Sequence, residues 1–374
     1  MITWLDRLDS ATIRDALSRW TGGSVLALVA DADRAGVPVL QSVCRDLGVG
    51  VCGAVFPELL VDAQLGQRGA VLLRVDGPPP LLIGEVSAAD GIARTATALA
   101  GYVENHRAPD EFNAALLCIF DALVPNIASH LDAWQLQLAD RVRYFGANAG
   151  NEAFAATPCL FDSERFIGDG LLAQLLPGHP GACVSHGYEV PDALIAATSS
   201  DGNRIIQIDW RPALEVYRDL MLQRYGIEID RESFYRYAVH FPFGIVRADG
   251  ELLVRIPVAL GPDDSIVCVG EVPANAILTL LDARACTASV PGDIAACLAE
   301  IAPVTNRDLL LFYCAGRRMH KGPEVVTELA AIREASGAAH LFGALSLGEI
   351  GASAEGGYPL FHNATVVGVP WNNA

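Results

Sequence analysis

The chain has 374 residues, of which 52% are hydrophobic and 19% are charged, so a large buried core is expected. Its formal net charge of −18 argues against binding to nucleic acid or to an anionic membrane surface, because both partners attract positive charge. The apolar residues form short runs, and none is long enough to cross a bilayer, which predicts no membrane insertion.

The first residues, MITWLDRLDS, reach a charge at Asp6 and lack the apolar core of a secretory signal. A cytoplasmic location is therefore expected. The nine cysteines are scattered and form no C-x-x-C pair. This pattern predicts reduced, mostly buried thiols and argues against a structural zinc site.

The first strong structural signals follow residues 1–23, which are assigned to an N-terminal extension. From Ser24, the run SVLALVADAD predicts a strand, and GVPVLQSVCRDLG predicts a helix that ends at Gly48. A second strand is predicted for VGVCGAVFPELL, in which Pro57 stiffens the turn. A helical connection of this length allows the two strands to lie parallel in one sheet.

The same succession occurs twice more. The second copy comprises AALLCIFDAL, IASHLDAWQLQLAD and VRYFGANAGNE, and the third comprises LLLFYCAGRR, PEVVTELAAIREASG and HLFGALSLGEIG. Each second strand closes on Gly-Ala and then a glutamate, at Gly53-Ala54 and Glu58, Gly146-Ala147 and Glu152, and Gly343-Ala344 and Glu349. Structural equivalence of the copies is predicted, although Gly-Ala also recurs by chance in a chain rich in both residues.

Between the second and third copies, short apolar runs alternate with turn signals. The dipeptide Asp-Gly, a strong hairpin signal, occurs at 201–202 and 249–250, and a helix is framed by Pro212 and Gly226. No linker of low complexity separates the two halves. The predicted fold is therefore mixed α/β, with repeated strand-helix-strand units in helix-covered mixed sheets, hairpin-rich insertions and two interlocked domains.

The order of several segments resembles the FIST family. RYFGANAGNEAFAATPCLF, GDGLLAQLL and VSHGYEVPDALIAATSSDGNRIIQIDWRPALEVY are similar to its N-terminal domain running into its partner. FPFGIVRADGELLVRIP, LLLFYCAGRR, FGALSLGEIG and PLFHNATVV are similar to its C-terminal domain. The resemblance implies a FIST N-terminal domain over residues 24–210 and a FIST C-terminal domain over residues 211–374.

What the resemblance implies is a sensory role in intracellular signal transduction rather than catalysis. Such a module binds a small ligand and passes the signal to a partner such as a histidine kinase or a cyclic-dinucleotide enzyme. Some stand-alone bacterial members are described as haem-binding nitric-oxide sensors, and amino acids are another suggested ligand. A protein-interaction module without a small ligand is the alternative. No recognised catalytic motif occurs in the sequence, which agrees with a protein that is not an enzyme.

Three residues of the third copy are candidates for ligand binding. Arg317 follows an apolar strand, where its guanidinium can hold a carboxylate or phosphate; an internal ion pair with Glu349 or Glu328 is the alternative. Gly348, like Gly343, allows a close backbone approach or a positive φ beside Glu349. The Glu349 carboxylate can receive a ligand amine, or it can tie down a turn by accepting backbone N–H bonds.

Four further residues complete the candidate ligand contacts. His362 and Asn363 lie inside an apolar edge, where they either contact a ligand or pin the neighbouring loop. Gly146 and Asn148 belong to GANAG, which is similar to a phosphate loop but lacks the lysine and hydroxyl residue that should follow. Nucleotide binding is therefore not expected.

Haem b requires an axial histidine and an apolar slot. His240 has Tyr235, Tyr237, Phe241 and Phe243 nearby in the sequence, and His186 is predicted to lie in a strand. These two histidines are the candidate haem ligands. A buried histidine satisfied by its own hydrogen bonds is the alternative for each.

Overall fold

The structure is a computed structural model, and it describes residues 2–20, 22–108, 114–191, 193–248, 250–283, 289–352 and 357–371. Its helices are α1 (Ser10–Leu17), α2 (Val37–Leu47), α3 (Gly91–His106), α4 (Ile127–Leu138), α5 (Ala213–Tyr225), α6 (Phe234–Ala238), α7 (Val290–Ile301), α8 (Ala315–Lys321) and α9 (Val325–Ser336), with 3₁₀ turns at Asp31–Gly36 and Gly322–Glu324.

The strands fall into two groups along the chain. Those before α5 are β1 (Ile2–Leu5), β2 (Ser24–Ala30), β3 (Val51–Phe56), β4 (Leu59–Val61), β5 (Gln64–Gly66), β6 (Ala70–Val75), β7 (Leu81–Gly84), β8 (Ala114–Asp121), β9 (Arg143–Ala149), β10 (Leu160–Phe161), β11 (Phe166–Ile167), β12 (Gly170–Pro177), β13 (Cys183–Ser185), β14 (Ile195–Ala196), β15 (Ser199–Asp201), β16 (Arg204–Ile208) and β17 (Arg211–Pro212). Those after α5 are β18 (Phe243–Val246), β19 (Leu252–Arg255), β20 (Pro257–Leu260), β21 (Ile266–Cys268), β22 (Ile277–Leu280), β23 (Asp308–Cys314), β24 (His340–Ser346), β25 (Glu349–Gly351), β26 (Leu360–His362) and β27 (Val366–Trp371).

Glycine ends the helices where the sequence predicts it. Gly48, Gly226 and Gly337 follow α2, α5 and α9, and their φ angles of 67°, 66° and 68° lie in the left-handed region that only glycine enters readily. The three connecting helices of the predicted strand-helix-strand units are α2, α4 and α9. Each joins a parallel pair of strands, β2 with β3, β8 with β9, and β23 with β24. The predicted α/β class and its repeated units are confirmed.

The repeat extends beyond the predicted units. The described residues contain three six-stranded sheets with one common order, β1-β6-β2-β3-β10-β11, β7-β12-β8-β9-β25-β26 and β13-β27-β23-β24-β4-β5. We call residues 2–75, 81–177 and 183–371 the first, second and third repeats. The segment before residue 24 supplies edge strand β1 and helix α1 to the first repeat, matching β7 with α3 and β13 with α7.

The third repeat differs from the others because an insertion, residues 186–289, separates β13 from α7. It holds α5, α6 and two small sheets, β14-β22-β18-β19 and β15-β16-β21-β20. The Asp201-Gly202 signal joins the antiparallel strands β15 and β16, as predicted. The second signal joins the antiparallel pair β18 and β19, although Asp249 itself lies outside the described residues.

The last two strands of each six-stranded sheet come from another repeat. The hairpin β4-β5 of the first repeat pairs with β24 of the third, β25-β26 of the third pairs with β9 of the second, and β10-β11 of the second pairs with β3 of the first. The exchange therefore runs in a closed ring. Because two of these hairpins cross between the N-terminal and C-terminal halves, the predicted interlocking of two domains is confirmed.

The recurrent Gly-Ala pair lies where each borrowed hairpin attaches. Ala54, Ala147 and Ala344 face Leu160, Glu349 and Leu59, respectively. The preceding glycine of each pair has no room for a side chain, because a Cβ at Gly53, Gly146 or Gly343 would overlap the carbonyl oxygen of Ala27, Cys118 or Leu311 on the adjacent strand. The Gly-Ala part of the predicted repeat is thus equivalent in the structure. The glutamates are not, since Glu349 aligns with Leu59 and Leu160 rather than with Glu58 and Glu152.

Backbone hydrogen bonds join each second strand to the segment that leads into its borrowed hairpin. The N–H groups of Val55, Asn148 and Leu345 donate to the carbonyls of Cys159, Gly348 and Glu58 over 2.8, 2.8 and 2.9 Å. A second set continues the ring, with Gly150 donating to Val55 and Leu347 donating to Asn148. The equivalent donor in the first repeat is Pro57, which has no N–H group. The approximate threefold pattern is therefore broken at that position.

The structure bears on two expectations from the sequence, namely reduced cysteines and no membrane insertion. Cys183 and Cys297 form a disulfide that ties β13 to α7, so the expectation of reduced thiols is wrong for this pair. The described cysteines outside the disulfide are all buried, as expected. Among the described residues, no helix has the length and apolar character needed to span a membrane.

We expect Gly343→Ala to lower the free energy of unfolding by about 3 kcal/mol or more, because the new methyl group would displace a strand at the junction of two repeats. Gly101→Ala is the matched control: Gly101 lies within α3, and a Cβ there would have no neighbour within 4 Å. That control should stabilise the protein by up to about 1 kcal/mol. Urea unfolding measures both changes, and equal midpoints for Gly343→Ala and wild type would contradict the close approach.

Candidate functional site

A pocket of about 210 Å³ lies where the parallel strands β23 and β24 end side by side. The carboxyl ends of parallel strands are a common position for ligands. Both halves of the chain contribute to its walls, and we call it the interdomain pocket. Its lining residues are Glu152, Phe154, Tyr235, Val239, Ile256, Val258, Val269, Cys314, Ala315, Gly316, Met319, Leu347 and Asn363.

The mouth of the interdomain pocket is apolar and partly open. Phe154, Tyr235 and Met319 are 46%, 50% and 46% exposed, although large apolar side chains are usually more buried. Among the described lining residues, Glu152 is acidic and none is basic. The pocket therefore suits a neutral molecule better than an anion.

Cys314 forms part of the inner wall of the pocket and ends β23. Its sulfur accepts a hydrogen bond from the backbone N–H of Ala364 at 3.2 Å, and the N–H groups of Gly316 and Arg317 also face it. Burial raises the pKa of the Cys314 thiol well above its usual range. The thiol is also hydrogen-bonded to Glu349, which is not among the lining residues.

Glu349 is fully buried at the start of β25. The Ser346 hydroxyl donates to Oε1 at 2.6 Å, and the Thr365 N–H faces Oε2 at 3.4 Å. Desolvation raises the pKa of Glu349 from 4.5 to about 8, against the opposing effect of these hydrogen bonds and of the Arg317 charge. The contact with Thr365 matches the structural alternative of a carboxyl bound to backbone N–H. Glu349 does not line the pocket, but Cys314 links it to that space.

Gly348 has its predicted role of permitting a close approach. A Cβ there would lie 2.6 Å from two ring carbons of Phe361, so the glycine makes room for a core aromatic side chain. No ligand role is needed to explain it.

Arg317 occupies a different position from the one predicted for a ligand-binding residue. It is buried in α8, where Nε and Nη2 donate to the two carboxylate oxygens of Glu328 at 2.8 and 2.7 Å. Nη1 donates to the carbonyl of His186 at 2.7 Å. The ligand interpretation is therefore corrected to the internal ion pair with Glu328. A buried guanidinium requires such partners, because an unpaired charge in the interior is strongly unfavourable.

The adjacent Arg318 connects α8 to the N-terminal half. It is partly exposed and donates to Glu58 in the first hairpin at 2.7 Å, and it lies 3.7 Å from Glu152 at the rim of the pocket. Sequence reasoning singled out Arg317 and missed Arg318. Only the position of the helix shows which of two neighbouring arginines points inward.

His362 and Asn363 lie in and just after the buried strand β26. His362 Nε2 lies 3.2 Å from the carbonyl oxygen of Gly351, and burial lowers the pKa of this imidazole to about 3. Asn363 lines the interdomain pocket, and its amide donates to the His362 carbonyl at 2.9 Å. The structure thus brings Asn363 to the pocket, whereas His362 lines a separate pocket that also contains His186.

Gly146 and Asn148 do not form a phosphate loop. Both lie inside β9, where Gly146 pairs with Cys118 and Asn148 pairs with Phe120. Their assignment to a ligand-binding loop is corrected, because the backbone N–H groups of a strand interior are used by its neighbours. Asn148 is buried beside Gly348 at the junction of the repeats.

The two candidate haem ligands lie in different environments. His186 follows β13, and its Nδ1 accepts a hydrogen bond from the Tyr188 N–H at 2.9 Å, while its ring also bonds the Leu252 carbonyl. His240 follows α6, and its Nδ1 lies 3.0 Å from Nδ1 of His320. Among the described residues, no group of three or more His, Cys, Asp and Glu side chains is arranged to hold a metal ion.

Comparison with protein families agrees with this arrangement. Residues 22–211 match the FIST N domain, and residues 213–352 match the FIST C domain. The chain belongs to the FIST family. FIST domains are sensory domains of signal transduction that bind small ligands, so the sensory class of function is shown for this chain. No curated protein matches the chain.

Most residues that line the pocket in this FIST protein belong to no recognisable sequence motif. Most of its wall residues are ordinary apolar ones, such as Val239, Val258 and Met319, and the lining comes from seven separate parts of the chain. Cys314 was not singled out from the sequence, in which it lies within the predicted strand run LLLFYCAGRR. Glu349 was identified correctly as unusual, but its link to Cys314 required the fold.

The raised pKa of Glu349 makes stability depend on pH. A folded carboxyl that holds its proton above its unfolded pKa of 4.5 stabilises the fold below that pH, and this contribution is lost as pH rises toward about 8. The slope approaches about 1.4 kcal/mol per pH unit in that window. The charged or titratable groups around Glu349 are Cys314 on β23, Arg317 on α8 and His362, which pairs with Glu349 between strands β25 and β26. Glu349→Gln should remove this slope.

Urea unfolding of both proteins at pH 5, 6.5 and 8 measures the difference, in which the other titrating groups cancel. Asp219→Asn is the control, because this exposed carboxylate does not line the pocket and should leave the slope in place. A constant difference between wild type and Glu349→Gln at all three pH values would contradict the buried carboxyl.

Proposed function

We propose that this FIST protein senses a small, neutral, mainly apolar molecule in the interdomain pocket and relays its presence to a signalling protein, such as a histidine kinase or a cyclic-dinucleotide enzyme. The observation that carries the proposal is the pocket itself. It lies at the carboxyl edge of a parallel strand pair, it is lined by both halves, and its mouth exposes large apolar side chains.

The size and charge of the pocket support a small neutral ligand. About 210 Å³ is below the range of roughly 300–1,000 Å³ typical of drug-sized ligands. A free amino acid would present a carboxylate to walls in which no described lining residue is basic. The amino-acid version of the sensor is therefore supported less well than an uncharged metabolite.

Helix α8 supports a route for the signal. Gly316 and Met319 of α8 line the pocket, and Arg318 of the same helix pairs with Glu58 in the hairpin that the first repeat lends to the third. A ligand that moves α8 would alter this ion pair and the surface around it. A ligand transmits a signal only if it binds two such arrangements with different affinity.

A neutral ligand held in this pocket should raise the melting temperature, and Val258→Trp should abolish that effect by filling the space. At a concentration 100 times Kd, binding stabilises the folded state by about 2.7 kcal/mol. A thermal-shift screen of small neutral metabolites, with amino acids included, measures the effect. The control is Val190→Trp, which adds the same side chain at an exposed residue outside the pocket and should keep the shift.

The same samples also test whether ligand binding in the pocket changes helix α8 and the hairpin β4-β5. Amide hydrogen exchange should slow in α8 and in the hairpin β4-β5 when ligand is bound, because Arg318 connects them. No stabilising compound, or a shift that survives Val258→Trp, would overturn the interdomain pocket as the sensory site.

The haem and nitric-oxide version rests on the family resemblance, and the residues present fit haem poorly. Both His186 nitrogens are used by the backbone, and His240 faces His320. The interdomain pocket has no histidine among its described lining residues. An axial ligand must offer a nitrogen lone pair to iron beside an apolar slot.

We therefore expect no Soret band when the protein is purified with added haem, as read from its ultraviolet–visible spectrum. His240→Ala and His186→Ala are the matched variants. A band in wild type that either substitution removes would reverse this conclusion and identify the ligand.

A further inference from the structure

A second pocket, of about 350 Å³, lies where the insertion joins the third repeat. The chain leaving β13 contributes Glu189 to its lining, and the start of α7, where the chain returns, contributes Asp293. Glu251 of the insertion and His362 of β26 also line it, and we call this space the insertion pocket. It shares none of its described lining residues with the interdomain pocket.

The charged side chains that line the insertion pocket, in the part of the chain that the structure describes, are all carboxylates. They are Glu189, Glu251 and Asp293. Asp293 accepts a hydrogen bond from the Ser185 hydroxyl at 2.8 Å, and Glu251 lies 3.8 Å from Arg247, which compensates part of its charge. Glu189 is exposed. A space lined by one sign of charge concentrates ions of the opposite sign, so the insertion pocket attracts cations.

His362 adds a hydrogen-bond acceptor to this pocket. Its Nε2 lies 3.2 Å from the carbonyl oxygen of Gly351, and because a carbonyl can only accept, Nε2 carries the proton. Burial lowers the pKa of the ring to about 3, so the imidazole is neutral and Nδ1 keeps its lone pair. His362 is 2% exposed, and its Nδ1 has no hydrogen-bond partner among the described residues. A buried acceptor of this kind is unfavourable until a donor reaches it.

The other histidine of the lining, His186, has its own backbone partners. Its Nδ1 accepts a hydrogen bond from the Tyr188 N–H, and its ring also bonds the Leu252 carbonyl. The charged groups of the lining and the unpaired His362 nitrogen are therefore all acceptors. A matching ligand carries positive charge and hydrogen-bond donors. Because no described group of three or more His, Cys, Asp and Glu side chains is arranged to hold a metal ion, an organic cation fits better than a metal.

We propose that the insertion pocket binds a small primary alkylammonium ion, whose N–H groups donate to Nδ1 of His362 and to the surrounding carboxylates. An ammonium group has three donors, so it can serve the imidazole nitrogen and two carboxylates at once. Val184 and Tyr188 also line the pocket and offer apolar surface to the alkyl chain. This site is separate from the sensory pocket proposed above and does not depend on it.

The bound cation would join two parts of the chain. Glu189 and Glu251 belong to the insertion, whereas Asp293 and His362 belong to α7 and β26 of the repeats. The insertion also supplies several walls of the interdomain pocket, among them Val258. An ammonium ion shared by both sets of acceptors holds the insertion in place on the third repeat, and its binding stabilises that arrangement.

Isothermal titration calorimetry of the full chain with n-butylammonium chloride tests the ligand class, and saturable binding is expected. Three compounds of related shape are the controls: 1-butanol lacks the charge, tetramethylammonium lacks N–H donors, and norvaline is n-butylammonium with an added carboxylate. Each should bind at least about tenfold more weakly. No saturable binding of n-butylammonium, or equal affinity for tetramethylammonium, would overturn the proposal. Displacement of n-butylammonium by low concentrations of Mg²⁺ would overturn the ligand class in favour of a metal ion.

Two variants test the position of the ligand. His362→Gln keeps an N–H that can reach the Gly351 carbonyl but removes the Nδ1 acceptor, and it should raise Kd at least about tenfold. Glu189→Gln changes an exposed residue and should raise Kd about threefold, with a smaller effect at high salt. Glu164→Gln is the matched control, because this exposed glutamate does not line the pocket and should leave Kd unchanged.

Histidine ¹⁵N spectra of wild type provide a direct readout at the proposed contact. The Nδ1 resonance of His362 should shift on titration with n-butylammonium, because its lone pair accepts a new hydrogen bond. This measurement and Glu189→Gln carry the test if His362→Gln does not fold. An unshifted Nδ1 resonance at saturation, or a Kd that neither variant changes, would overturn the placement.

Val258→Trp separates this proposal from the sensory one. It fills the interdomain pocket and should leave n-butylammonium binding intact, because Val258 does not line the insertion pocket. Loss of n-butylammonium binding in Val258→Trp would overturn the separate cation site. A metabolite shift that Val258→Trp abolishes, in a protein that does not bind n-butylammonium, would keep the sensory pocket and overturn the cation site alone.

Discussion

The arrangement of the whole molecule depends on the outer edge of the second parallel strand in each repeat. β3, β9 and β24 would each expose a row of backbone N–H and C=O groups, and such an edge is open to pairing with another chain. A hairpin from another repeat covers each edge, and the three exchanges close a ring. No repeat is complete without the other two. The family boundary near residue 212 is therefore a division of the sequence, and it does not separate independent folding units.

The repeats share a backbone, and the chemistry lies where their side chains differ. The last residue of the first parallel strand is Ala30, Asp121 or Cys314 in the three repeats. The hairpin residue that faces each Gly-Ala pair is Leu59 or Leu160 in two cases and Glu349 in the third. A thiol meets a buried carboxyl in two of these repeats, at Asp121 and Cys159 in the second and at Cys314 and Glu349 in the third. The insertion of the third repeat then supplies the remaining wall of the pocket over Cys314.

Sequence patterns predicted the three strand-helix-strand units, helix α5 and the repeated Gly-Ala, because these depend on local periodicity and on a backbone that only glycine fits. They did not predict the hairpin exchange, since pairing between distant repeats leaves no local signal. The same limit explains Arg317, which resembles a strand-edge ligand but points inward to Glu328. It also explains Gly146, because a glycine needed for close packing of strands looks in sequence like a glycine of a loop.

The hairpin exchange gives Glu349 an influence that a residue within one domain would lack. Its chain segment belongs to the third repeat, its strand β25 completes the sheet of the second repeat, and its side chain reaches Cys314 at the pocket. A proton gained or lost at Glu349 therefore changes electrostatics at a strand junction between both halves. Desolvation makes such a change large, because a buried carboxylate must be compensated by its neighbours. The ionisation of Glu349 and the packing of the two halves thus involve the same side chain.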